Sequence, residues 1–115
     1  MSNIKKVAVI GSRTFSNFDL LEKTLLPLGT IIVVSGGANG ADSLAEQYSL
    51  KYNLETIIFK ADWKKFGKRA GYLRNIDIIA ESDMVIAFWD GISKGTKHSL
   101  NLAESRNIPI TIVPF

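Results

Sequence analysis

Five short apolar runs recur along the chain, at Val7 to Ile10, Ile31 to Val34, Thr56 to Phe59, Met84 to Phe88 and Ile110 to Val113. Each is nearly continuous in apolar, mostly β-branched or aromatic side chains, where a half-buried strand would alternate them with polar ones. That continuity is the mark of parallel strands covered on both faces. The intervals carry the cover. Leu21, Thr24, Leu25 and Leu28 make an i, i+3, i+4, i+7 stripe, with Asp19 and Glu22 near its start opposing the helix dipole. Leu44, Ala45, Tyr48 and Tyr52 make a second stripe between Ala41 and Tyr52, stopped at Asn53. Leu73, Ile76, Ile79 and Ala80 make a third between Ala70 and Glu81. A fourth, with Leu100, Ala103 and Leu102 inward, runs from Thr96 to Arg106 and ends before Asn107 and Pro109.

Strands alternating with single helices imply right-handed crossovers. The predicted fold is therefore α/β, a Rossmann-like three-layer sandwich: a five-stranded parallel sheet in the order 3-2-1-4-5, with helices on both faces. A chain of 115 residues makes this a single domain, 1–115. The one long connection, Lys60 to Lys68, holds Trp63 and Phe66, which predict a flap that packs down.

Composition narrows the function. The absence of cysteine excludes a disulfide framework, thiolate metal sites and thiol catalysis, and fits a reducing cytosol. No apolar run approaches the roughly 18 residues of a membrane span, so a cytoplasmic location without a membrane partner is expected. The net charge is +3, and much of it comes from Lys60, Lys64, Lys65, Lys68, Arg69 and Arg74 against Asp62. Such a segment can meet phosphate or remain a solvated face.

In open α/β sheets, ligands bind beyond the carboxyl ends of the strands where the strand order reverses, here between strands 1 and 4. The unusual residues cluster at those ends. After strand 1, Gly11 and Ser12 offer amides and a hydroxyl, and Arg13 a planar fork for phosphate or carboxylate. After strand 2 comes Ser35, Gly36, Gly37, Ala38, Asn39, Gly40, Ala41 and Asp42. Its glycines let backbone amides approach an anion at the start of the next helix, with Asn39 near the N-cap. Asp42 either holds a ribose hydroxyl or caps the turn. After strand 4, Trp89, Asp90, Gly91, Lys94, Gly95 and Thr96 open a second helix start on the same crevice. Asp90 would read sugar or base, and Trp89 either stacks on a base or covers the sheet edge. Arg74 and Asn75 reach in from the third helix or form a surface pair.

Phosphates are accordingly expected on the amides of Gly36 to Ala41 and Gly95 to Thr96, helped by Arg13, Arg74 and Lys94. There is no GxGxxG and no GxxxxGK[ST], which argues against a dinucleotide dehydrogenase and a P-loop ATPase. His98, the sole histidine, has no partner for a metal site and is expected on the surface. No cofactor is required, and no serine triad can be assembled.

Taken together, GSRTF at 11–15, SGGANGAD at 35–42, FKADWKKFGKRAG at 59–71, RN at 74–75 and AFWDGISKGT at 87–96 resemble the YspA-type, cpYpsA-like branch of the SLOG superfamily. The resemblance implies a Rossmann-like domain of bacterial or phage systems that binds a small nucleotide-derived ligand, such as a nucleotide or an ADP-ribose-like molecule. It extends to the Lonely Guy phosphoribohydrolases, whose PGGxGTxxE motif carries a glutamate that takes part in catalysis. Here Gly95 and Thr96 match, but Ser99 stands at the glutamate position and the glycine pair is missing. Hydrolysis is therefore disfavoured, and Asp90 or Asp42 would have to substitute. It extends also to DNA-processing protein A, whose glycine loop resembles SGGANGAD and which holds single-stranded DNA. Trp63, Phe66 and Tyr72 among the basic residues suit single strands, yet such aromatics read more readily as core. Nucleic acid is therefore not expected as a partner, and a homodimer that completes the cleft is.

Overall fold

All five apolar runs form strands: β1 (Lys6–Gly11), β2 (Ile32–Ser35), β3 (Thr56–Ile58), β4 (Met84–Trp89) and β5 (Ile110–Pro114). The computed structural model describes residues 4–115, so the first three positions of the expected domain lie outside it. The strands make one parallel sheet in the order β3-β2-β1-β4-β5. β1 is its centre, with Val7 opposite both Val33 and Met84. Successive side chains of a strand point to opposite faces, so β1 feeds two separate cores. Val7 and Val9 pack with Phe15, Leu21, Leu25 and Tyr48 on one side. Ala8 and Ile10 pack with Ile78, Ile79, Leu100 and Ala103 on the other.

The helices supply those layers: α1 (Phe18–Leu25) and α2 (Ala41–Lys51) on the first face, α4 (Ala70–Glu81) and α5 (Lys94–Ser105) on the second. A short helix, α3 (Trp63–Phe66), precedes α4. The expected stripe of α1 is cut short at Leu25, because Pro27 tightens the chain into a 3-10 turn over Leu26–Leu28. α5 begins two residues earlier than expected, which places Gly95 and Thr96 inside its first turn.

Two expectations about the flap side are corrected. The inward face of α4 is Ala70, Asn75, Ile78 and Ile79, while Leu73 and Ile76 remain 37% and 40% exposed and Ala80 is exposed too. The helix carries two apolar stripes, and the one that faces the sheet packs Ile78 and Ile79 against Ala8, Ile10 and Val34, with the Asn75 carboxamide beside it bonding the Gly95 carbonyl of α5. The flap does not pack down. Asp62 caps α3 through the Lys65 amide at 3.1 Å, a 3-10 turn at Gly67–Arg69 leads straight into α4, and Trp63 stays 50% exposed.

The covered sheet is the centre alone: β1, β2 and β4 are buried, whereas Ile112 of edge strand β5 is largely exposed. No helix among the described residues is long and apolar enough to cross a membrane.

Candidate functional site

The connections leaving β1 and β4 diverge to opposite faces, and their carboxyl ends open a cavity of about 370 Å³. Ser12 holds the three turns around it together. Its amide donates to the Phe88 carbonyl at 2.9 Å, and its Oγ accepts from the Asp90 amide at 3.2 Å. Its carbonyl accepts from the Ala41 amide at 3.4 Å. Ser12 is buried and serves as a brace between turns.

The turn after β2 is folded onto its own carboxylate. Asp42, in the first turn of α2, accepts from the Ala38 amide at 3.1 Å, and the Gly37 amide is directed to Ser35 Oγ at 3.5 Å. With Ala41 bonded to Ser12, three of the six loop amides expected to hold phosphate, those of Gly37, Ala38 and Ala41, are already engaged. Asp42 thus occupies the place of the anion. Its carboxyl is buried, which pushes its pKa up against the opposing pull of the Ala38 amide and the Arg74 charge.

Two glycines make this arrangement possible. Gly40 caps α2 with φ +78°, and a Cβ there would stand 2.4 Å from the Ser12 carbonyl oxygen. A Cβ at Gly36 would lie 2.9 Å from Arg74 Cδ and Nε and 3.0 Å from Asp42 Oδ2. Its absence lets the arginine lie flat on the loop. Arg74 Nη1 donates to the Gly36 carbonyl at 3.2 Å, while its buried Nε has no partner among the described residues. Desolvation lowers the guanidinium pKa, Asp42 opposes that shift, and Arg13 adds to it.

The turn after β4 is built differently. Asp90 Oδ1 accepts from the Ile92 and Ser93 amides, both at 2.8 Å, before the helix starts. These bonds hold the exposed carboxylate below the usual range. Beyond them Ser93 caps α5 without a side-chain bond, so the amides of Lys94, Gly95 and Thr96 have no partner among the described residues. A Cβ at Gly95 would meet nothing within 4 Å. This helix start is therefore open, carries the partial positive charge of its dipole, and faces the cavity through Ser93, Gly95 and Thr96.

Gly11, Ser12, Arg13, Asp42, Arg74, Asn75, Asp90, Gly95 and Thr96 of the sequence-based set line this cavity. Gly36, Gly37 and Asn39 line a second cavity of about 360 Å³, which Arg13 and Arg74 share. Ser35, Gly40, Ala41, Trp89, Gly91 and Lys94 line neither. Trp89 donates its Nε1 to the Ser93 carbonyl at 3.1 Å and packs on the core beside α5, so it braces the turn.

Thr14, Ser93 and Ser99 line the first cavity and Lys60 and Trp63 the second, though none was singled out as a ligand residue. Ser93 carries a signal as a serine just before an expected helix, Lys60 as part of the basic segment, Trp63 as an aromatic among cations, Thr14 as part of GSRTF and Ser99 as the residue at the glutamate position.

His98 is half-buried instead of lying on the surface. The Asn75 amide nitrogen is 3.3 Å from both the Gly95 carbonyl and His98 Nδ1, and Tyr72 meets the imidazole edge-on at 4.7 Å. Burial lowers the histidine pKa, which suits an Nδ1 that accepts.

A doubly wound parallel sheet with a polar cleft at its switch point defines a Rossmann-like α/β domain. Residues 5–66 match the model of the YspA, cpYpsA-related SLOG family, and the chain belongs to that family. It is 35% identical to the Gene 61 protein of Mycobacterium phage D29, over 93% of this chain and 94% of that protein.

Among solved structures it is similar to DNA processing protein A from Streptococcus pneumoniae, with a TM-score of 0.83 and 22% identity. The match covers 97% of this chain and 51% of that one. It is also similar to DNA processing protein A from Helicobacter pylori, with a TM-score of 0.72 and 25% identity, over 96% of this chain and 66% of that one. The chain thus spans about half of the first protein and just under two thirds of the second. The Helicobacter pylori protein has a single-stranded DNA binding mode. That likeness overturns the expectation that nucleic acid is not a partner, which rested on reading the flap aromatics as core.

Proposed function

We propose that the cleft between β1 and β4 binds the phosphate of a nucleotide or nucleotide-derived ligand. One observation carries the reading. The uncapped amides of Gly95 and Thr96 open onto the cavity that Arg13 and Arg74 also line, and Arg74 keeps a buried, unpartnered Nε. An open helix start presents amides and a partial positive charge to an anion, and a guanidinium fork matches phosphate geometry. The glycine loop after β2 takes a different part, seating Arg74 through Gly36. Asp42 and Asp90 line the same cavity and keep acceptor oxygens for sugar hydroxyls or base amines. Ser99 is in the wall of this cavity and brings no carboxylate, which supports binding over hydrolysis.

Adenosine monophosphate added to ligand-free protein is expected to raise the melting midpoint, since a ligand at ~100 times its Kd adds about 2.7 kcal/mol. Arg74→Ala should weaken binding by about 1.5–3 kcal/mol, the range for a charged hydrogen bond. If no nucleoside mono- or diphosphate shifts the midpoint, the reading fails.

A second reading, single-stranded nucleic acid on the same edge, is favoured by the likeness to DNA processing protein A and by the exposed cations Lys60, Lys64, Lys65 and Lys68. Its affinity for an oligonucleotide would fall steeply with salt and with Lys64 and Lys65 neutralised.

A further inference from the structure

The second cavity shares Arg13, Ala38 and Arg74 with the cavity of the phosphate site, and its other lining residues have no part in that site as described. It is nearly as large as the first, about 360 Å³ against 370 Å³, and each lies near the lower end of the volumes that hold a small molecule. The two meet at Arg13 and Arg74, which line both. Their chemistry differs. The first contains Asp42, Asp90 and the open start of α5; the second contains Lys60 and Trp63 and has no carboxylate in its wall. A smaller cavity of about 210 Å³, also lined by Arg13, Trp63 and Arg74, lies alongside.

Trp63 stands apart from the other flap aromatics. Lys65 Nζ lies 5.2 Å from the Phe66 ring centre, and the Tyr72 ring is engaged edge-on with His98. Over Trp63, half exposed, no cation or ring lies among the described residues. A large apolar face left open beside two arginines and a lysine is the arrangement that stacks a nucleobase next to its phosphate.

We infer that the site is two-ended: it takes a ligand with a nucleoside on each side of a phosphate or pyrophosphate. The anionic centre sits at Arg13 and Arg74. One nucleoside enters the cavity of Asp42, Asn75 and Asp90, where acceptor oxygens meet its hydroxyls or amines. The other stacks on Trp63 beside Lys60. This rests on the phosphate reading of the cleft and adds the class of ligand. A free dinucleotide and one step of a single strand share this chemistry.

The test compares adenosine monophosphate with diadenosine pyrophosphate by calorimetry on the full chain, together with Trp63→Ala and Trp63→Phe variants checked for unchanged melting. The two-nucleoside probe should bind at least tenfold tighter than the mononucleotide. Trp63→Ala should bring that ratio to about one, and Trp63→Phe, which keeps a stacking face, should restore most of it. A wild-type ratio near one, or a ratio that Trp63→Ala does not change, overturns the two-ended site while mononucleotide binding leaves the phosphate reading standing. Failure of both probes removes both. The same titration with d(A)2 and d(A)10 separates the sources. Tighter binding of d(A)10 than of d(A)2 and of the pyrophosphate assigns the site to a strand, and tightest binding of the pyrophosphate assigns it to a free dinucleotide; each upholds two ends.

Discussion

The turns after β2 and β4 begin alike and end differently. Each leaves a buried strand, passes through glycines and starts a helix, and each contains an aspartate that accepts from backbone amides of its own turn. Asp42, after β2, is buried inside the first turn of α2 and occupies the space where an anion would sit. Asp90, after β4, spends its bonds before α5 begins and leaves the first-turn amides of that helix free. A glycine-rich loop is therefore not by itself an anion site. What decides is whether a carboxylate of the chain already fills it, and here the less conspicuous turn is the open one.

The largest expected break in this comparison is steric. Gly40→Ala in the first turn adds a methyl against the rigid Ser12 and Arg13 backbone at a positive φ, and should cost about 3 kcal/mol in denaturant unfolding. Gly95→Ala in the second turn meets open space inside a helix and should stay within about 1 kcal/mol of wild type, if anything more stable. Equal costs at the two positions would show that the first turn is no tighter than the second.

A smaller difference concerns acid. Folding raises the Asp42 pKa, so the stability its protonated form contributes is complete below the ordinary Asp pKa of ~3.9 and lost as pH climbs through the higher folded value. Folding lowers the Asp90 pKa, so its contribution is complete above the ordinary value and lost as pH falls through the folded one. Melting curves from pH ~3 to ~7 should therefore diverge in opposite directions. Asp42→Asn should gain on wild type as pH rises, and Asp90→Asn should lose. Parallel trends for the two variants would remove the distinction between a buried and an exposed carboxylate.

The smallest expected effect is at Ser93. Its side chain caps nothing and lies 3.3 Å from Thr96 Oγ1, so Ser93→Ala should change stability by less than about 0.5 kcal/mol. A loss near the ~1 kcal/mol typical of a working cap would mean that the start of α5 is closed in solution.

The sheet was legible because its signal is redundant. Every strand announces itself by continuous apolar side chains, each of the four long helices by a stripe, and the crossover rule leaves few orders for the strands. The crevice followed from the same order, and nine of the residues expected there do line the larger cavity. Other details were not legible. Leu73, Ile76, Ile79 and Ala80 form as good a stripe as Ala70, Ile78 and Ile79; only Ile79 is common to both and buried, and periodicity alone cannot choose between two faces of one helix. Ser12, Trp89 and His98 have the chemistry of ligand or surface residues, but Ser12 ties two turns together, Trp89 braces its own turn and His98 meets Asn75 between α4 and α5.

By itself, then, the sequence determined the parallel sheet, its strand order and the edge where the cavity opens. Those depend on side-chain hydrophobicity along the chain, which is a local quantity. Only the tertiary structure decided which polar groups remain free at that edge. In SGGANGAD the Asp42 carboxylate takes the Ala38 amide and Ser35 Oγ takes the Gly37 amide, whereas after β4 the carboxylate stops short of the helix. Whether an amide is free depends on every partner within hydrogen-bond reach, including Ser12 and Arg74 from distant parts of the chain.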